Sequence, residues 1–290
     1  MQNNPKMGRV LLAMDVSPRS RTALETAAAL ATQLGAELAG LFVEDVNLLR
    51  VGGLPFTREF GFFSGGPRTI DIVEIEDALR REAEEAERLL AETATRLKLR
   101  WSFHIARGQI AEELFALASE LDLVVLGSRA RMGIRSLEYW PVDALADEIQ
   151  RSREIRPVVA VYDSSASARR ALELAQQLAL SSSLELRVLV PGSNNDQFSS
   201  RASEARALLA DAGITSVVCR RIPLAGIREL ATELRREKPS VLLLGIDGRF
   251  RSGEGFATLL NELDCPVVLV RAENRSTPKR KRTKSKGKPR

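Results

Sequence analysis

Short apolar runs rich in Val, Leu and Ile alternate along this chain with longer stretches whose apolar positions recur every three or four residues. The first pattern is that of strands buried on both faces, and the second that of amphipathic helices. In the first half the runs predict strands at 9–14, 37–43, 99–106 and 123–126, and helices at 18–34, 75–97, 111–120 and 137–150, the last containing Pro141. Ser17 is the candidate N-cap of the 18–34 helix and Gly35 its stop. The 75–97 helix carries an outer face on which Glu76 precedes Arg80, Asp77 precedes Arg81, Glu84 precedes Arg88 and Glu92 precedes Arg96. That acid-first order at i,i+4 is the favourable one. In the second half strands are predicted at 157–162, 184–190, 215–220, 241–245 and 266–270, and helices at 166–180, 201–212, 227–237 and 255–263.

The two halves open alike. Val10-Leu11-Leu12-Ala13-Met14-Asp15-Val16-Ser17 leads to Ser20-Arg21-Thr22-Ala23-Leu24-Glu25, and Val158-Val159-Ala160-Val161-Tyr162-Asp163-Ser164-Ser165 leads to Ala168-Arg169-Arg170-Ala171-Leu172-Glu173. A duplicated unit with alternating strands and helices implies βαβ units, right-handed crossovers and parallel sheets covered on both faces. The expected chain is therefore α/β, with two doubly wound parallel-sheet domains at 8–155 and 156–272 and a disordered basic tail at 273–290. A Gly- and Pro-rich insertion at 45–73 holds Phe56, Phe60, Phe62 and Phe63. It reads as a long loop packed on its own domain, or as a lid or partner-binding flap.

The halves are not equal. Between the predicted helix ending at 150 and Asp163 there is a single strand, 157–162, where a complete first domain needs a fifth strand of its own. Either the first sheet is one strand short or this strand is contested between two sheets. The helix and Asp that follow it assign it to the second domain.

With 290 residues, 44% hydrophobic and 28% charged, the chain is of ordinary globular composition and long enough for two domains. Its net charge of +5 is local: residues 279–290 hold eight Lys and Arg and no acid, so that without them the +5 becomes −3. Such an arm either contacts nucleic acid weakly, through phosphate charge, or serves as a solubilising tail. No aromatic residue is interleaved, so stacking on bases has no support. The apolar runs fall short of the ~20 residues of a membrane-spanning helix, and the first residues lack a signal-peptide apolar region. Cys219 and Cys265 read as buried thiols and not as a disulfide framework. The expectation is a cytoplasmic protein without a membrane span.

Candidate chemistry lies where the first and fourth strands of such a sheet stand side by side, because their C-terminal ends frame the crevice at the topological switch point. Asp15 and Asp163 end the first strands. Gly127-Ser128-Arg129-Ala130-Arg131-Met132-Gly133 and Gly245-Ile246-Asp247-Gly248-Arg249 follow the fourth. Glycines there let backbone N–H groups approach an anion, with Arg129, Arg131 and Arg135 adding charge; equally, a glycine there simply turns the chain. Catalysis has little support. His104, the one histidine, lies mid-strand, and neither a Gly-x4-Gly-Lys-Ser/Thr nor a Gly-x-Gly-x-x-Gly motif is present. Ser164-Ser165 and Ser181-Ser182-Ser183 read as turn and cap residues.

The strand–Asp–helix openings, Gly127-Ser128-Arg129, and the ending Leu263-Asp264-Cys265-Pro266-Val267-Val268-Leu269-Val270 together resemble universal stress proteins, over roughly 8–272 as a tandem pair. The resemblance implies two adenine-nucleotide-hydrolase-like sheets of order 3-2-1-4-5, packed as an intramolecular version of the family's homodimer. In part of the family it also implies bound ATP or AMP. There the first-strand Asp meets adenine and a Gly-x2-Gly-x9-Gly-Ser/Thr motif wraps the ribose and phosphates. Carried onto this chain, the cofactor-binding positions are Asp15, Gly127 and Ser128, and Asp163, Gly245 and Gly248. The motif is incomplete: Ala130 replaces the second glycine of the first half, and Trp140-Pro141 and Thr258-Leu259 stand where Gly-Ser/Thr belongs. A side chain there obstructs close backbone approach, and proline removes a donor. The expected function is that of a non-enzymatic regulatory or binding protein with degenerate nucleotide sites, whose partners include another protein or a second copy of the chain. Two readings stay open beside it: ATP or AMP binding by the second domain, and nucleic-acid association through the tail.

Overall fold

The computed structural model describes residues 8–15, 18–45, 58–60, 67–69, 72–108, 123–127, 156–210, 217–222, 227–246, 263 and 265–272. In chain order the elements are β1 (Arg9–Ala13), α1 (Pro18–Leu34), β2 (Glu37–Asp45), β3 (Arg58–Phe60), β4 (Pro67–Thr69), α2 (Ile72–Arg96), β5 (Trp101–Gly108), β6 (Leu123–Leu126), β7 (Val158–Val161), α3 (Ala166–Ser182), β8 (Leu186–Pro191), α4 (Asn195–Ala210), β9 (Val218–Ile222), α5 (Ile227–Glu237), β10 (Val241–Gly245) and β11 (Val267–Val270). The predicted helices at 111–120 and 137–150, the 255–263 helix apart from Leu263, and the basic tail lie outside the described residues. Ser17 does too. Gly35 ends α1 at φ +61, a left-handed turn that glycine adopts without steric cost.

Among the described residues nine strands form one sheet in the order β5-β2-β1-β6-β11-β10-β7-β8-β9. All neighbouring pairs are parallel except β6 with β11, which run antiparallel with Leu126 opposite Val267 and Leu123 opposite Val270. On its other side β11 runs parallel to β10, Leu242 opposite Val267 and Gly245 opposite Val270. Read inward from either edge, the order is therefore 3-2-1-4, and the fifth place is filled for both halves by the same strand. This resolves the unequal strand count. The strand near 157–162 belongs to the second half, as β7 between β10 and β8, and β11, the last described strand, takes the place of the first half's missing fifth. Because β6 and β11 are antiparallel, the C-terminal strand ends of the two halves lie on opposite edges of the sheet.

Both faces of the sheet are covered, as a doubly wound fold requires. Apolar residues of α1, α2, α3 and α4 pack with Val10, Leu12, Val125, Val158, Ala160 and Val268 on one face. Leu230, Ala231 and Leu234 of α5 pack with Leu11, Val124, Val159, Leu242 and Leu269 on the other. The alternation along β1, β7 and β11 divides each apolar run between two cores. Across the pseudo-symmetric centre, Gln33 Nε2 at the end of α1 donates to Ser181 Oγ at the end of α3, 2.8 Å away. Glu237, buried at the end of α5, is held between Arg187 and Arg220, each 2.8 Å away, and so ties α5 to β8 and β9.

Three local features differ from the sequence expectations. Helix α4 begins before residue 201 because Asn194 Oδ1 accepts the Gln197 N–H at 2.8 Å, and its polar first turn shows no apolar stripe. On α2 the arginines choose other partners: Arg80 pairs with Asp77, and Arg88 lies between Glu85 and Glu92. Such exposed pairs are close to isoenergetic, so small rotamer differences decide among them. Within the 45–73 insertion, β3 and β4 form a separate antiparallel hairpin, Arg58 opposite Thr69. Cys265 is buried and Cys219 half-buried, and both are free thiols. Among the described residues no helix is long and apolar enough to cross a membrane.

Candidate functional site

The strand order reverses at two places, between β1 and β6 and between β7 and β10, and each is closed by the first turn of the helix that follows the first strand. In the first half, Asp15 lies just past β1. Its backbone N–H donates to Ser20 Oγ at 3.1 Å, and the Ser20 hydroxyl donates back to Asp15 Oδ1. Ser20, wholly buried in the first turn of α1, stands over the end of β6: a Cβ on Gly127 would come within 3.1 Å of Ser20 Oγ. Gly127 in turn donates its N–H to the Ala13 carbonyl at 3.4 Å. Asp15, Ser20 and Gly127 thus form one latch between two strand ends and a helix start.

Glu82 of α2 faces this latch. Burial raises its carboxyl pKa above the ordinary 4.5, and the Asp15 carboxylate raises it further. A phosphate placed here would meet two acids. Because the folded pKa is elevated, the protonated form is favoured by folding. Its contribution is complete below pH 4.5 and lost as pH rises through the elevated value. Glu82→Gln is accordingly expected to match the wild type in acid and to exceed its stability near neutrality, by less than about 1 kcal/mol after solvent screening. Urea unfolding at several pH values checks this; a variant less stable at neutral pH refutes it.

The second half solves the same problem with different residues. Ser165 is the N-cap of α3, its Oγ accepting the Ala168 N–H at 3.1 Å. Asp163 Oδ1 accepts the Ser165 N–H at 3.0 Å, an Asx-type turn. Between them Ser164 adopts a left-handed φ of 70 and donates from Oγ to Glu204 Oε2 of α4 at 2.7 Å. Arg169 Nη2 donates to the other oxygen of Glu204 at 2.6 Å. The Ser164 hydroxyl leads in holding the Glu204 carboxyl below its usual range, with Arg169 assisting. Beneath them Tyr162 is fully buried beside Glu204 without a well-formed hydrogen bond, and burial, followed by that carboxylate, pushes its hydroxyl up to about 12.

Gly245, at the end of β10, is approached more closely still. A Cβ there would lie 2.5 Å from Ser167 Oγ, 2.6 Å from the Ala168 nitrogen and 2.8 Å from the Ser167 carbonyl carbon. The absent side chain therefore makes room for the first turn of α3. Ser165 Oγ and Ser167 Oγ, 3.2 Å apart, link the Asp163 turn to this contact.

The structure thus joins Asp15 to Gly127 through Ser20, and Asp163 to Gly245 through Ser165 and Ser167. Ser128 and Gly248 lie outside the described residues. Ser20, Ser167, Glu82, Tyr162, Arg169 and Glu204 were not singled out from the sequence. A serine early in each first helix was a readable signal, but Glu82 and Glu204 come from distant helices and leave none. His104 stands exposed at mid-strand opposite Leu41. Among the described residues no cluster of His, Cys, Asp and Glu could hold a metal ion. Chemically, the two turns are rich in hydroxyl and carboxylate groups that are occupied with one another.

Comparison with solved structures finds similar chains. A universal stress protein from Archaeoglobus fulgidus DSM 4304 is similar over 93% of this chain and 98% of its own, with a TM-score of 0.54 at 14% identity. A putative universal stress protein from Pseudomonas aeruginosa UCBPP-PA14 matches 92% of this chain and 94% of its own, with a TM-score of 0.44 and 13% identity. A universal stress protein in complex with cAMP matches 41% of this chain and 98% of its own, with a TM-score of 0.33 and 22% identity. No protein-family model matches the chain, and no curated protein does. The first of these likenesses shows that the fold is the universal stress protein fold.

Proposed function

We propose that this chain acts as a universal-stress-type regulatory or binding protein, without catalysis, whose two switch points serve as structural latches. The units at 8–155 and 156–272 each contribute one. A single observation carries the reading: each strand-end aspartate is engaged at the start of the helix that follows it, Asp15 by Ser20 in the first turn and Asp163 by the N–H of the N-cap Ser165. A nucleotide site needs the same strand end to present free donors and open space to the phosphates. Instead, the space beside Gly245 is filled by Ser167 and Ala168, and the carboxylates of Asp15 and Glu82 oppose an anion in the first half.

Isothermal titration of the full chain with ATP and with AMP tests this reading. No saturable heat is expected at millimolar nucleotide. Saturable binding that Asp163→Ala abolishes and Asp15→Ala leaves intact would instead establish a nucleotide site in the second half. Heat untouched by either substitution arises elsewhere on the chain and leaves the latches as described.

A further inference from the structure

The two outer strands of the sheet are built differently. At one edge β9 is short, five residues, and exposes Arg220 and Arg221. Short and charged edge strands discourage further pairing. At the other edge β5 runs eight residues in unbroken register with β2, from Trp101 opposite Leu38 to Gly108 opposite Asp45. It contains no proline, lysine or bulge, and among the described residues no strand pairs with its outer side.

Backbone direction decides which groups of β5 face outward. The Arg100 carbonyl accepts the Leu38 N–H at 2.9 Å, so the even-numbered residues address β2. Trp101, Phe103, Ile105 and Arg107 therefore turn their N–H and C=O groups to the open side. Their side chains stand on the α2 face: the Phe103 ring and Leu90 of α2 both lie over Gly40, and Arg107 reaches Glu76. Six large apolar side chains are exposed among the described residues, and four of them, Val73, Leu97, Trp101 and Ile105, lie on α2, on β5 or in the turn between them. Ile105 is 55% exposed and Trp101 38%. Exposed apolar surface thus gathers at the edge whose backbone is open.

We propose that β5 pairs antiparallel with β5 of a second copy of the chain, about a two-fold axis through His104. A second copy is the occupant because the strand is complementary to itself. In this register Trp101 stands opposite Arg107 of the second copy and Phe103 opposite Ile105, so all four outward residues exchange both backbone hydrogen bonds. Moving the axis to Phe103 leaves Arg107 without a counterpart in the strand, and moving it to Ile105 leaves Trp101 without one. The electrostatics agree. β5 holds no acid and a single guanidinium, which the register sets against the single indole of the strand, a cation–π pairing made in both directions. Within its own copy that guanidinium is already balanced by Glu44 at 2.7 Å and Glu76 at 3.8 Å. From Trp101 to Arg107 the paired strand extends about 23 Å, and α2 adds a layer ~10 Å deep, so the interface stays within the ~1,200 Å² of weak, reversible complexes. The dimer is therefore expected to dissociate on dilution, with a Kd on the order of tens of micromolar.

Sedimentation equilibrium of the full chain from about 5 to 500 µM tests the surface, and a reversible monomer–dimer equilibrium is expected. Ile105→Lys, at an exposed position, should weaken dimerisation by about tenfold or more. Val218→Lys, at the exposed start of β9, should leave it unchanged. Mild oxidation tests the register. Residue 104 faces its own counterpart as a non-hydrogen-bonded pair with Cα atoms ~4.5 Å apart, within reach of a disulfide, so His104→Cys should yield a cross-linked dimer. Ser102→Cys, which faces Ala106 of the second copy, should not exceed the wild-type background from Cys219 and Cys265. Circular dichroism of each variant confirms that it is folded. The proposal is overturned if the chain is monomeric throughout that concentration range, or if Ile105→Lys leaves the dimer intact. It is equally overturned if Ser102→Cys cross-links as readily as His104→Cys.

Discussion

Gly245→Ala is expected to destabilise the protein by about 3 kcal/mol, whereas Gly127→Ala is expected to cost about 1 kcal/mol. The two glycines hold equivalent places, each at the end of a fourth strand beside the start of a first helix, and their neighbours explain the difference. A methyl group on residue 245 would meet the backbone of Ser167 and Ala168 at 2.8 and 2.6 Å as well as the Ser167 hydroxyl at 2.5 Å. Backbone in a capped first turn does not yield by rotamer change. Helix α3 has to shift off the sheet, and Ala168, Ala171 and Leu172 lose packing in the core. At residue 127 the closest atom is the Ser20 hydroxyl oxygen at 3.1 Å, and the nearest backbone is 3.6 Å away. There the methyl displaces one hydroxyl and weakens its exchange of hydrogen bonds with Asp15. Urea midpoints with an unchanged slope would measure both effects. A Gly245→Ala protein as stable as Gly127→Ala would show that α3 does not seat on β10 as described.

Val268→Pro is expected to unfold both halves together. Val268 is fully buried in the middle of β11, opposite Val125 of β6 and Leu243 of β10. Proline in a central strand removes a ladder hydrogen bond and introduces a steric conflict, at a cost of about 3 kcal/mol or more. Against the 5–15 kcal/mol that ordinarily separates folded from unfolded chains, that loss is large. Native-state hydrogen exchange distinguishes the outcomes. Amides of β1 and of β10 should lose protection by the same amount, because both sheet halves close on the same strand. Retained protection in β1 alongside rapid exchange in β10 would mean that the first half is complete without β11.

Most of the fold was legible because most of its determinants are local. Apolar runs located every described strand of the main sheet, since burial on both faces demands them. Ser165 and Gly35 declared a cap and a stop through their own conformational preferences. The polar start of α4 was hidden because its cap, Asn194, precedes any apolar stripe. The shortfall of one strand in the first half was countable, but its remedy was not, because the pairing of Leu126 with Val267 is set by tertiary closure. Asp15, Gly127, Asp163 and Gly245 were found as a pattern of strand ends. Which partner fills the space beside each glycine depends on where a helix sits: a serine early in each first helix is visible in the sequence, but its contact with Gly127 or Gly245 is not.

The central position of β11 also has a consequence in time. Synthesis delivers β6 long before β11, and the segment from Leu126 to Val267 takes on the order of ten seconds to translate at ~5–20 residues per second. Throughout that interval the nascent first half presents an unpaired, fully apolar strand edge, the kind that invites association with other chains. The strand that closes this edge, β11, follows the described strands of the second half, so the edge stays open to misassembly until that half has been made.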